Sequence, residues 1–331
     1  MKRTVYIEVS TTDPAFNLAL EEYVFENMSR DREYFLTWCN DNAIIIGRHQ
    51  NTAAEINEQF VKEKNIKVVR RLSGGGAVYH DLGNLNFTFI ADAQPGQKVD
   101  LRKFCQPIAD TLCDLGADAT VDGRNDILID GMKVSGNAQY VRQGRVMHHG
   151  TILFDSDMSV LGQALIPDPE KAKAKGVKSV RSRVTNVRPC LSRDMTIEEF
   201  REALARSLMK DGFEHYELTA EDIAEIEKLC ASRYATREWN YGFCEPGTLV
   251  RKKRIEGCGT VEAHITLKND LITELHFRGD YFSTLPPEEL AEKLIGLPLI
   301  PGSLACVLGT CRAEDYITGL SNRELISLLS E

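Results

Sequence analysis

The chain has 331 residues, 43% of them hydrophobic and 27% charged, and a formal net charge of −9. That length exceeds what one hydrophobic core usually serves and the composition is globular, so two domains are expected. The acidic balance excludes a broad nucleic-acid or anionic-membrane surface, which needs a basic footprint, and no apolar run reads as a signal peptide or membrane span.

Nine cysteines without a Cys-x-x-Cys pair read as reduced thiols in a cytoplasmic protein. Asp13-Pro14 suits a helix start, and Phe16, Leu20, Tyr23 and Val24 follow at helical spacing with Glu21, Glu22 and Glu26 around them. Tyr34–Trp38 and Ala43–Gly47 read as a hairpin across Asn40-Asp41-Asn42, with Arg48 as a candidate ligand contact on the rim. A helix over Ala53–Lys64 then leads into the strand Ile66–Val69.

The most informative stretch comes next: Arg70-Arg71-Leu72-Ser73-Gly74-Gly75-Gly76-Ala77-Val78-Tyr79. Three successive glycines cost backbone entropy, so the position needs positive φ or a surface free of side chains. Such a surface beside two guanidinium groups suits a carboxylate or phosphate, and a plain hairpin tip fits the same residues. Neither the Gly-x-x-x-x-Gly-Lys-[Ser/Thr] nor the Gly-x-Gly-x-x-Gly pattern is present.

Leu85–Ile90 alternates as a strand, and Lys103–Leu115 carries an apolar stripe in which Pro107 either begins or kinks the helix. Asp130-Gly131 marks a tight hairpin, beyond which period-2 alternation puts Lys133, Ser135 and Asn137 on one face. Lys133 there suits an anionic ligand, although lysines commonly protect strand edges in the same way. Val146–Phe154 reads as another strand with His148 and His149 on opposite faces, and no ligand set for zinc accompanies them.

Six basic residues between Lys171 and Arg183 suggest a loop that closes over phosphates or a solvated basic loop. Capping boxes at Thr196-x-x-Glu199 and Thr219-x-x-Asp222 open two helices. Arg237–Gly242 and Pro246-Gly247 supply a domain boundary. After it, Val261–Leu267 and Ile272–Phe277 form a hairpin about Asn269-Asp270, covered by helices at Pro287–Ile295 and Asn322–Leu329, with no visible chemistry.

Taken in order, Arg70-Arg71-x-Ser73-Gly74-Gly75-Gly76-Ala77-Val78-Tyr79-His80-Asp81-x-Gly83-Asn84, Gly123-Arg124-Asn125-Asp126, Lys133–Ala138, His148-His149-Gly150-Thr151, Lys178–Asn186 and Trp239–Gly242 resemble bacterial lipoate-protein ligases over nearly the whole chain. The resemblance implies an α+β fold: a large catalytic domain of the biotin/lipoate ligase type with a mixed or antiparallel sheet at residues 1–245, and a small α+β C-terminal domain at 246–331. It implies that lipoate and ATP give lipoyl-AMP, whose acyl group passes to a lysine of E2 lipoyl domains of 2-oxoacid dehydrogenases or of the glycine-cleavage H protein.

By the same resemblance Lys133 contacts both the lipoate carboxyl and the α-phosphate. Arg71, Gly76, Ala77, Val78, Tyr79, Asn125, Asp126, Lys178 and Arg183 hold ATP, with Mg2+ near Asp126. Arg70, Ser73, Gly75, His80, Gly136 and His149 line the lipoate site. The related acyltransferases that work through a thioester place a cysteine just ahead of the Lys-x-x-Gly segment. This chain has Gly123-Arg124-Asn125-Asp126 there and so lacks the thiol for that route. An ATP-independent transferase and a non-catalytic lipoate or nucleotide binder are the alternatives.

Overall fold

The computed structural model describes residues 3–93, 100–123, 125–166, 184–209, 212–242 and 249–330. Arg124, the basic loop Lys171–Arg183 with Lys178 and Arg183, and the expected boundary at 245/246 lie outside the described residues. In chain order the strands are β1 (Arg3–Glu8), β2 (Arg32–Trp38), β3 (Ala43–Ile46), β4 (Lys67–Arg70), β5 (Val78–His80), β6 (Asn84–Asp92) and β7 (Ala119–Asp122). They continue as β8 (Asp126–Ile129), β9 (Met132–Arg142), β10 (Arg145–Leu153), β11 (Glu214–His215), β12 (Leu249–Ile255), β13 (Gly259–Lys268) and β14 (Leu271–Gly279).

Eight of these form one mixed sheet in the order β11-β1-β2-β6-β10-β9-β8-β7. β1 runs parallel to β2 and β11, and the remaining pairs are antiparallel. One face packs Phe35, Phe87 and Ile152 under the helices Arg102–Asp114 and Ile197–Leu208. The other face packs Leu36, Ile90 and Met147 against the helix α1 (Pro14–Asn27) and against Ile45 and Val69 of a second sheet, ordered β4-β3-β5. Asp13 caps α1 through the N–H groups of Ala15 and Phe16, as its sequence suggests.

The hairpin expected between Tyr34–Trp38 and Ala43–Gly47 does not form: β2 belongs to the large sheet and β3 to the small one. All four residues of β3 are buried, so it takes a central place between β4 and β5 rather than an edge beside β2. Asn40-Asp41-Asn42 is a crossing between sheets, pinned by Asn17 Nδ2 to the carbonyl of Cys39 and by Asp41 N to the carbonyl of Thr12. Likewise the helix expected over Ala53–Lys64 divides into Thr52–Glu55 and Glu58–Glu63, the second capped by Asn57. Pro107 lies inside its helix, five residues past the start at Arg102.

The last part of the chain is an antiparallel sheet β12-β13-β14 whose apolar face, with Val261, Ile265 and Phe277, is covered by helices that include Pro301–Leu308 and Asn322–Ser330. Asn269 and Asp270 both have positive φ, 53° and 61°, the conformation that a two-residue hairpin turn requires. The capping boxes at Thr196 and Thr219 are both complete. The whole is an α+β protein.

Burial pushes the imidazoles of His49, His80 and His148 down to about 3. They stay neutral in the folded chain at pH values where the unfolded chain, with its ordinary histidine pKa near ~6.5, takes up protons. This contribution to stability is therefore complete above about pH 6.5 and is lost as pH falls toward 3, by at most about 1.4 kcal/mol per histidine per pH unit. Urea unfolding should show a lower midpoint at about pH 5.5 than at about pH 7.5, and a midpoint unchanged between them would refute the neutral burial of these rings.

Candidate active site

A cavity of about 720 Å³, counting its open mouth, lies between the large sheet and the glycine segment. Strand register lays out its floor. Trp38 on β2 pairs with Asn86 on β6, and Asn86 with Thr151 on β10, whose Oγ1 accepts a bond from Gly136 N on β9 at 3.4 Å. At ~4.8 Å between strands this row is about 14 Å long. Lys133 lies at the Gly136 end, since a Cβ added to Gly136 would sit 2.8 Å from Lys133 Nζ.

Lys133 pairs with Asp126 at 2.7 Å, with about a third of its side chain exposed. Its expected company is corrected by a bulge. Lys133 opposes Leu128 and Ser135 opposes Ile127, so Val134 has no residue across from it and the alternation changes phase. Lys133 therefore joins Gly136 and Ala138 at the cavity, which Asn137 also lines, while Ser135 bonds to Asn137 at 3.1 Å and Asn137 Oδ1 meets His148 Nε2. Asn125 also lines the cavity and donates to the carbonyl of Asn137 at 2.8 Å.

The glycine segment joins β4 to β5, which flank β3 and do not pair with each other, so it is not a simple hairpin tip. Arg71 organises it from within. Its guanidinium donates to Ser73 Oγ and to the carbonyls of Ile45, Gly74 and Gly76 at 2.7–3.1 Å. Burial lowers its pKa to about 10, with Glu21 opposing, so it remains a cation at neutral pH. Gly75 has φ +91° and donates its N–H to the carbonyl of Tyr281 at 3.2 Å. Gly75, Gly76, Ala77 and Val78 line the cavity, and Tyr79 instead packs beside Ile44 and Ile46 with its hydroxyl on Asn42.

Arg70, expected beside the acyl chain, is not at the cavity. It is fully buried, and its guanidinium donates to the carbonyls of Gly47, Arg48, Gln50, Trp239 and Asn240 and to Thr52 Oγ1. These bonds tie the start of the glycine segment to the neighbouring turn and to the helix Arg237–Tyr241, which consumes the fork that a ligand would need. Ser73, also expected at the ligand, lies behind the wall. Its hydroxyl meets His149 Nε2 at 2.6 Å, and His149 Nδ1 meets Glu21 at 2.9 Å.

His149, Gly150 and His80 do line the cavity, while His148 stacks on Phe104 on the opposite face. Residues not anticipated as lining it include Leu18, Glu21, Trp38, Asn40, Ile45 and Phe282. A trace of Glu21 exists in the sequence, an acid within Leu18-Ala19-Leu20-Glu21-Glu22-Tyr23-Val24, but it is legible only as a helix with acids near its apolar stripe. Phe282 brings the C-terminal part, in which the sequence shows no chemistry, to the wall of the cavity. Its ring lines the cavity against Gly75, next to Tyr281, which stacks on His49.

Residues 13–209 match the family model of the lipoyl protein ligase A/B catalytic domain, and residues 247–329 that of the bacterial lipoate protein ligase C-terminus. Lipoate-protein ligase LplJ of Bacillus subtilis (strain 168) is 39% identical over 321 residues, 96% of this chain and 97% of that protein. A solved lipoate-protein ligase A bound with ATP has a TM-score of 0.64 at 28% identity, covering 73% of this chain and 99% of that one. A structure from the archaeal lipoylation system of Thermoplasma acidophilum, a bi-partite lipoate protein ligase and its E2 lipoyl domain, also has a TM-score of 0.64, at 29% identity and coverage of 75% and 99%.

Proposed function

The chain belongs to the lipoate-protein ligase family, and from that premise we propose a division of labour for its cavity in the ATP-dependent activation of lipoate and transfer of the lipoyl group to protein. The first step joins a lipoate carboxylate oxygen to the α-phosphorus of ATP and releases pyrophosphate. In the second, the amine of an acceptor lysine attacks the acyl carbon, AMP leaves, and the nitrogen gives up a proton.

Two anions must meet in the first step, so a fixed cation has to offset both their repulsion and the charge that builds at phosphorus. Lys133 is that cation. Its ammonium, now on Asp126, lies at one end of a floor that runs on past Thr151 and Asn86 to Trp38, and this placement is the observation that supports the reading. The chain Glu21–His149–Ser73–Arg71 holds the glycine segment and the sheet at a fixed separation. Gly76, Ala77 and Val78 offer backbone to the nucleotide, with Asn125 near its phosphates, while Gly75, Gly136, His80 and His149 border the acyl chain. Lys178 and Arg183 are assigned to the phosphates on the family resemblance alone.

No three His, Cys, Asp or Glu side chains gather into a metal site among the described residues. The Asp126 carboxylate suits Mg2+ carried in with the nucleotide, because that ion takes one or two carboxylates beside phosphate oxygens and water. There it would neutralise phosphate charge. The acceptors we propose are E2 lipoyl domains and the glycine-cleavage H protein. We also propose a domain border at 245/246, between the segments that the two family models match, and a cytoplasmic setting, which suits free thiols. No described helix is long and apolar enough to cross a membrane.

Pyrophosphate release that requires both lipoate and ATP, followed by an acceptor mass increase of one lipoyl group, is the expected result. Acyl transfer without ATP would favour the transferase alternative, and binding without product would favour the sensor.

A further inference from the structure

Phe282 is a large apolar side chain that the cores leave out. It is only 9% exposed, yet it belongs to none of the apolar clusters formed by the described residues. Its ring lies on peptide backbone instead. A Cβ added to Gly75 would sit 3.2 Å from Phe282 Cε1 and 3.3 Å from Cζ, so the ring covers the bare face of a glycine held at φ +91°. The same ring lines the cavity.

The backbone around Phe282 is fixed from two sides. Within the C-terminal unit its carbonyl accepts from Thr318 N at 2.8 Å, and Ser283 forms a bridge with Ile317. Toward the cavity, the carbonyl of Tyr281 accepts from Gly75 N at 3.2 Å, and Ser283 Oγ meets His49 Nε2 at 2.9 Å. This close approach needs a glycine at position 74 as well, where a Cβ would sit 2.2 Å from the oxygen of Tyr281. The ring is therefore held in place on the glycine segment.

In the division of labour above, the acyl chain borders Gly75 and the nucleotide borders Gly76, Ala77 and Val78. The anhydride that joins acyl group to phosphate then comes to lie where Gly75 meets Gly76, beside the ring. Water reaching it would bond through oxygen to the acyl carbon. The carbon–oxygen bond to phosphate would break with its electron pair leaving on AMP, a proton would be released, and the ATP would be spent for no product. An apolar ring over that backbone excludes the water that such a loss requires. Resting on the ligase reading, we propose that Phe282 is a water seal, which protects lipoyl-AMP from hydrolysis until an acceptor lysine takes the acyl group.

The test follows pyrophosphate and AMP from the full chain given lipoate and ATP without an acceptor. The unaltered chain should release about one pyrophosphate per chain and then slow, because the adenylate is retained. Phe282→Ala should give the same burst and then keep releasing AMP about tenfold faster than the unaltered chain. With an E2 lipoyl domain added, AMP formed per domain lipoylated should be close to one for the unaltered chain and clearly higher for the variant. A merely structural defect lowers both quantities together and leaves that ratio as it was. Phe282→Leu, which keeps apolar volume without the ring, should leak at an intermediate rate and decides the matter if the alanine variant does not fold. An unchanged ratio in a folded variant overturns the seal, and so does an unaltered chain that hydrolyses its adenylate as fast as it forms. Absence of any lipoate-dependent pyrophosphate from the unaltered chain is a different failure, which removes the ligase reading and the seal with it.

Discussion

Replacing Lys133 by alanine is expected to lower lipoate-dependent pyrophosphate release at least ~10²-fold, the scale set by removal of one oriented stabilising donor. The loss should fall mainly on kcat, because the charge that Lys133 offsets is larger in the transition state than in the bound acid and nucleotide. Asp126 would lose its ion-pair partner in the same change. Lys133→Arg keeps the charge but spreads it over a planar fork, so recovery should be partial. Folding is not at stake, since the Lys133 side chain is partly exposed and forms only part of one wall. Steady-state kinetics on the folded variant decide the matter, and unchanged turnover would remove Lys133 from the chemistry.

Arg70→Ala should instead be felt in stability. The change withdraws the donor from five carbonyls and Thr52, all held around a fully buried guanidinium. Breaking such a cluster from one side leaves buried acceptors unmet, and a loss of about 3–5 kcal/mol is expected. Urea denaturation gives the magnitude. The KM for lipoate, measured on the fraction that remains folded, should change by less than about twofold, as for a residue outside the binding energy. A variant of normal stability with a much raised KM would return Arg70 to the ligand and overturn its placement here.

Arg70 and Arg71 are adjacent and chemically identical, and their sequence neighbourhood could not tell them apart. What separates them is the pleat: Arg70 closes β4 and turns toward Trp239 and Asn240, far away in the chain, while Arg71 begins the loop and turns toward the cavity. The phase error at Lys133 has a similar origin. Period-2 alternation holds only while each residue has one partner across the ladder, and nothing in Met132-Lys133-Val134-Ser135 announces the extra residue.

Local chemistry was legible where it acts locally. Asp13, Thr196 and Thr219 cap their helices, and Asn269-Asp270 turns its hairpin, because each needs only residues a few positions away. The hairpin imagined between β2 and β3 failed because strand partnership is set by distant segments. Trp38, Asn40 and Phe282 were missed for the same reason: each reaches the cavity only through the meeting of sheets or domains.

The four bonds from Arg71 to the glycine segment and its neighbours are made wholly within the chain. The order of that loop is therefore settled during folding, and a ligand arriving at it has no chain entropy left to remove there. Affinity at this wall should accordingly depend little on temperature-driven fraying of the loop, and variants that loosen Arg71 would weaken binding by making each encounter repeat an ordering step that the native chain completes only once.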